Sequence, residues 1–143
     1  MSKGNTFEND WLKLIFNAVA IANIADNAAA APLTDLYCSL HTGDPGEAGD
    51  QTTSEISYTG YARVAVVRTA GGWTVTGSSV SPVAAITFGL MTAGAGGTVT
   101  HGVIGTLISG AGKILYSGTV TPNIVVSNGV TPRFTTASTV TED

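Results

Sequence analysis

The chain has 143 residues, of which only 11% are Asp, Glu, Lys or Arg, against about a quarter in an average soluble domain. With a formal charge of -4 and a pI near 4.9, it lacks the clustered Lys and Arg that grip phosphates, so direct nucleic-acid binding is not expected. Low charge combined with 43% hydrophobic residues also excludes a disordered chain, and the length suits one compact domain.

The first expected element is a helix. Asn5 stands three positions before Glu8, a capping-box spacing, and early acids suit the positive helix end. Phe7, Trp11, Leu14, Ile15, Ala18, Val19 and Ala22 then recur at helical spacing, broadened by Leu12 and Phe16. Residues 11 to 25 are apolar, but Lys13, Asn17 and Asn23 interrupt them. With Glu8 and Asp10 standing where a signal peptide would be basic, neither an export signal nor a membrane span is expected. Pro32 makes helix continuation past the alanines 28 to 31 unfavourable, so the chain divides into an N-terminal helix and linker, residues 1–31, and a β-rich body, residues 32–143.

From Leu36 the chain reads as short strands: Leu36 to His41, Tyr61 to Thr69, Trp73 to Val80, Ala84 to Leu90, Val99 to Leu107, Lys113 to Val120, Ile124 to Ser127 and Phe134 to Val140. Turn signals separate them, among them Gly43-Asp44-Pro45-Gly46, Gly71-Gly72 and Thr121-Pro122. About eight strands at this spacing predict a mainly β fold, an antiparallel, jelly-roll-like β-sandwich carrying the helix. Arg63 and Arg68 fall on opposite faces of a regular strand, which predicts a bulge or burial on both faces. Asn128-Gly129 is compatible with a hairpin, but Pro132 weakens a tight one and leaves a longer loop equally open.

Chemistry-bearing residues are sparse. No Asp or Glu occurs between Ile56 and Thr141, so the β-rich body cannot supply the carboxylate pair of a glycosidase by itself. His41 and His101, the only histidines, have no zinc-ligand spacing with Cys38, and a strand histidine more often packs or hydrogen-bonds. Cys38, inside Leu36-Tyr37-Cys38-Ser39-Leu40, reads as a small buried hydrophobe. Gly-x-Ser-x-Gly is absent, and the glycine runs at 94–97 and 110–112 lack the Lys-Ser or Lys-Thr of a phosphate loop. The acidic loop from Gly43 to Asp50 lacks the EF-hand order and reads as a solvated turn. No enzyme activity, cofactor or metal is expected.

The string Leu36-Tyr37-Cys38-Ser39-Leu40-His41-Thr42-Gly43-Asp44-Pro45-Gly46-Glu47, followed by Glu55 to Val66, resembles a family of small virion proteins of tailed bacteriophages, many labelled tail-fibre-like. Val99 to Gly105 and Ser109 to Gly118 are similar as well, so the resemblance covers nearly the whole chain. It implies a virion structural protein made in the host cytoplasm. The absence of an internal repeat points to a capsid decoration, or cement, protein bound to major capsid protein on the capsid surface, as a homotrimer by analogy. The alternative is a tail or tail-fibre-associated subunit that meets a host receptor or glycan. Phe7, Trp11, Phe16, Tyr58 and Tyr61 are the expected interface anchors, since aromatics dominate contact energies.

Overall fold

The computed structural model describes residues 5–21, 25 and 32–142. The protein is mainly β, with one helix, α1 (Asn5–Asn17), and the strands β1 (Asp35–His41), β2 (Val64–Val67), β3 (Trp73–Thr76), β4 (Ser79–Pro82), β5 (Ile86–Thr87), β6 (Gly97–Gly105), β7 (Ile114–Val126), β8 (Arg133–Phe134) and β9 (Val140–Thr141). The strand orders are β2-β1-β6-β7, β3-β4-β9 and β5-β8. The chain forms two compact units, one of residues 1–35, 66–85 and 134–143, the other of residues 36–65 and 86–133. No helix among the described residues is long and apolar enough to cross a membrane.

In the first unit α1 packs on the β3–β4 hairpin. Trp73 to Val80 reads as one strand by composition, but Gly77 takes φ +60 and reverses the chain. Glycine at the first position of a two-residue loop is the requirement of a primed hairpin turn, whose twist matches the strands it joins. Thr76 then pairs with Ser79, and Trp73 with Pro82. Asn9 Nδ2 donates to Gly77 O at 2.7 Å, tying the helix to this turn. The buried line of α1 is Glu8, Leu12 and Phe16, spaced four apart and so stacked on one face. Phe16 meets Trp73 edge-on at 4.8 Å, a geometry that adds about 0.5–1.5 kcal/mol beyond area burial.

The helix ends where Ala18 turns left-handed at φ 55. Terminal carbonyls of a helix have no partner within it, and Arg68 meets two of them: its guanidinium donates to Leu14 O and Ile15 O. The expected helical positions Phe7 and Trp11 lie off the buried line, 38% and 36% exposed. Ala22, Asn23 and the alanines 28 to 31 of the linker lie outside the described residues.

In the second unit β1, β6 and β7 form antiparallel pairs. Tyr37 pairs with Gly105 and His41 with His101, while Ile104 pairs with Tyr116 and Val99 with Ile124. Leu36, Cys38 and Leu40 alternate on one face of β1 and are buried. Burial pushes the Cys38 thiol up to about 12, which keeps it protonated and inert. The segments expected at Lys113 to Val120 and Ile124 to Ser127 are one strand, and the register shifts where β6 advances from Val99 to His101. Ser127 to Val130 close a turn, with Val130 N donating to Ser127 O at 3.0 Å. It leads toward β8 and makes no tight hairpin, so the longer-loop alternative holds.

Arg63 and Arg68 flank β2 instead of lying within it. Burial on both faces of the strand is not observed, since β2 is half-buried to exposed along its length; Arg63 is buried in the second unit, and Arg68, half-buried, caps the helix of the first.

Candidate functional site

The second unit holds a buried polar network in a chain that is otherwise poor in charge. Arg63, 6% exposed, grips Glu55 with two donors, Nε to Oε1 at 2.8 Å and Nη2 to Oε2 at 2.7 Å. Two further donors reach Leu107 O and Gln51 O, each at 3.0 Å. Tyr61 Oη donates to Glu55 Oε1 at 2.8 Å and accepts Leu40 N at 3.1 Å. Every nitrogen of the guanidinium fork is aimed at an oxygen, the condition under which a buried ion pair is tolerated. The hydrogen bond to Glu55 raises the Arg63 pKa further, and burial raises that of Tyr61.

Gln51 extends the network. It is fully buried, its backbone N–H donates to Gly112 O at 3.0 Å, and its Oε1 accepts Leu107 N at 2.9 Å. A Cβ at Gly105 would stand 2.2 Å from Gln51 Cδ, and one at Gly112 would stand 2.0 Å from Oε1. Glycine is required at both positions so that this side chain can lie flat against the backbone. Gly112 thus has a packing duty in addition to ending a turn.

His41 belongs to the same region and is fully buried. Its Nδ1 donates to Thr53 O at 2.8 Å, leaving Nε2 to accept from Ser39 Oγ at 2.9 Å. Burial lowers its pKa, partly opposed by the Thr53 bond and by Glu55 and reinforced by the charges of Arg63 and His101. A histidine held neutral in the fold takes its proton more readily when unfolded, so its stabilising contribution is intact above the ordinary value of about 6.5 and falls away as pH drops below it. Urea midpoints measured at about pH 7.5 and about pH 5.5 are therefore expected to fall on acidification, and to fall less in His41→Gln. An equal drop in both proteins would remove His41 as the cause.

Beside this network lies an open groove of about 460 Å³. One wall is the loop carrying Asp44, Gly46, Glu47 and Gly49, and the other is Lys113 with the first residues of β7, Ile114, Leu115 and Ser117. The loop is held by its own bonds: Asp44 Oδ1 accepts Gly46 N at 2.9 Å, and Asp50 Oδ1 accepts Thr52 N at 2.7 Å. Across from it, Lys113 N donates to Thr106 Oγ1 at 3.0 Å. The Gln51 to Gly112 bond joins the two walls. The stretch expected as a solvated turn is one of its walls.

The aromatic residues expected to anchor an interface separate into two groups. Phe16 is fully buried, Tyr58 is 8% exposed with its hydroxyl donating to Gly89 O at 2.9 Å, and Tyr61 is tied into the Glu55 network. Phe7 and Trp11 are exposed and lie 6.5 Å apart, ring to ring. None of the five lines the groove. Local sequence does not mark Glu55, Arg63, Gln51 and Lys113 as site residues; the available signal is Glu55 and Arg63 flanking Tyr61 in a segment with almost no other charge.

A family model described as podophage GP4 fiber I protein gp80 matches residues 3–142. Among curated proteins, none matches the chain. The match spans both compact units, including the groove and the network, and is the source of the functional assignment that side-chain chemistry alone does not provide. Matched over almost its whole length, the chain belongs to the podophage GP4 fiber I protein gp80 family and is a phage virion structural protein.

Proposed function

We propose that the protein is a non-enzymatic subunit of the phage tail-fibre apparatus, working through contacts with neighbouring virion proteins and with the host surface. The observation that carries this reading is the family match over residues 3–142, whose description names a fibre protein. It favours the tail-fibre alternative over the capsid-cement reading. The chemistry supports a binding role: the Arg63–Glu55 pair is spent on internal hydrogen bonds, and His41 Nε2, which accepts from Ser39 Oγ, is fully buried together with that hydroxyl, out of a substrate's reach. Antiparallel sheets support the β-sandwich reading as part of the same proposal, with a homotrimer as the stoichiometry to test. Phe7 and Trp11 are the members of the expected aromatic set that stand at the surface for a partner.

Gold-labelled antibody against the protein, imaged on intact virions, tests the location. Label confined to the tail fibres is the expected result. Label spread over the head, in the many copies that a decoration role requires, would overturn the proposal and restore the cement reading.

A further inference from the structure

Asn128-Gly129 is the one Asn-Gly pair of the chain, and it lies exposed in the turn that leads from β7 toward β8. This dipeptide has a reactivity of its own. The Gly129 nitrogen can attack the Asn128 side-chain amide, because glycine puts no side chain in the way. A bond forms from Gly129 N to Asn128 Cγ and the Cγ–Nδ2 bond breaks, while the proton given up by Gly129 N leaves with Nδ2 as ammonia. Water then opens the cyclic imide at either carbonyl, giving aspartate or isoaspartate. No electrons are transferred, and the one co-reactant is water.

Two features of the fold oppose the attack. The Gly129 N–H donates to Met91 O at 2.9 Å, so the nitrogen holds the proton it must lose. Met91 is 2% exposed; its own N–H donates to Val130 O at 2.9 Å, and Phe88 N donates to Pro132 O at 3.0 Å. The nucleophile thus sits within a ladder of backbone bonds to the 88–91 segment. The turn geometry is the second feature. Val130 N bonds to Ser127 O, and Gly129 takes φ +86 whereas Asn128 does not have a positive φ, the pattern of a type II turn with Asn128 at its second position. There ψ is about +120°, which turns Asn128 Cβ and Gly129 N to different sides of the Cα–C bond. A five-membered ring needs them on the same side.

We propose that Asn128 is a deamidation site that the native fold holds closed and that opening of the 127–130 turn releases. Opening must break the Met91–Gly129 bond, so the reaction runs only in the fraction of molecules in which that bond is open. The change is one-way. Aspartate puts the first carboxylate into the stretch between Ile56 and Thr141, and isoaspartate adds a methylene to the main chain, so that the turn and its bonds to Met91 no longer close in register. A virion makes no replacement protein outside its host, and this closure limits the ageing of the particle. The proposal holds at either virion location and does not depend on the fibre reading.

The test incubates the full chain at mildly alkaline pH, native and in guanidinium chloride, and follows the tryptic peptide of residues 114–133 by mass spectrometry. That peptide also carries Asn123, whose neighbour Ile124 crowds the attacking nitrogen, so Asn123 is the internal control. The unfolded chain is expected to deamidate at Asn128 far faster than at Asn123. In the native chain Asn128 is expected to react more slowly by about tenfold or more, in step with the hydrogen-exchange protection of the Gly129 amide. Equal Asn128 rates in the native and unfolded chains would overturn the proposal, as would an Asn128 no more reactive than Asn123 in guanidinium chloride. A native Gly129 amide that exchanges as fast as in the unfolded chain would also overturn it, because the Met91 bond would then not be holding the proton of the nucleophile.

Discussion

Glu55→Ala is expected to lower unfolding free energy by about 3–5 kcal/mol, because removing one partner of a buried ion pair strands the other charge. Arg63 is the more deeply buried member, its side chain 3% exposed against 16% for Glu55. The stranded guanidinium would keep its bonds to Leu107 O and Gln51 O, but both are neutral carbonyls and neither cancels its charge. Tyr61 Oη would lose its acceptor as well. The combined variant Glu55→Leu/Arg63→Met is expected to recover part of the loss, since it leaves no unpaired charge while still removing donors from two carbonyls. Urea unfolding monitored by tryptophan fluorescence and circular dichroism measures both variants. A loss below about 1 kcal/mol in Glu55→Ala would mean that the pair behaves as an exposed salt bridge.

The Glu55–Arg63 pair also shows why sequence reading finds some features and misses others. β6 lies close to its expected limits, and Cys38 is buried within β1, because an apolar run bounded by turn residues is a local pattern. The capping spacing located α1 for the same reason. Its buried face was harder to read: the line runs through Glu8, and a charged residue on the inside breaks the apolar period on which the reading depends. Gly77-Ser78 sits in a run of strand-forming residues, so one strand was expected where the structure has a hairpin. Thr121-Pro122 looked like the end of a strand, yet β7 continues past it after an irregularity that takes up the mismatch with β6.

The groove was illegible for a different reason. Its walls are separated by more than sixty residues of chain between Glu47 and Lys113, and they meet only because Gln51 lies across Gly105 and Gly112. Nothing in the local spacing of a glutamine and two glycines announces that contact. The sequence marks the acidic loop and the Gly110 to Gly112 turn only as two separate turns.

Gly89→Ala is expected to cost about 3 kcal/mol or more, the upper range for overpacking, because the added methyl has no space and its neighbour is backbone. A Cβ at Gly89 would lie 1.8 Å from Gly60 O and 2.9 Å from Gly60 C. A flexible side chain could swing aside, whereas this carbonyl belongs to a segment pinned on both sides. Thr59 N donates to Ala93 O at 2.9 Å, Thr92 N donates to Thr59 O at 3.1 Å, and Tyr58 Oη donates to Gly89 O itself. Moving either segment far enough to admit the methyl would break several of these bonds at once. Gly118→Ala is the control, since its Cβ would meet nothing within 4 Å and a change within about 0.5 kcal/mol is expected there. Both are read from urea midpoints at constant slope. Equal midpoints for the two variants would mean that the 58–60 and 89–93 segments do not approach this closely, and that Tyr58 is free to face a partner instead of closing this crossing.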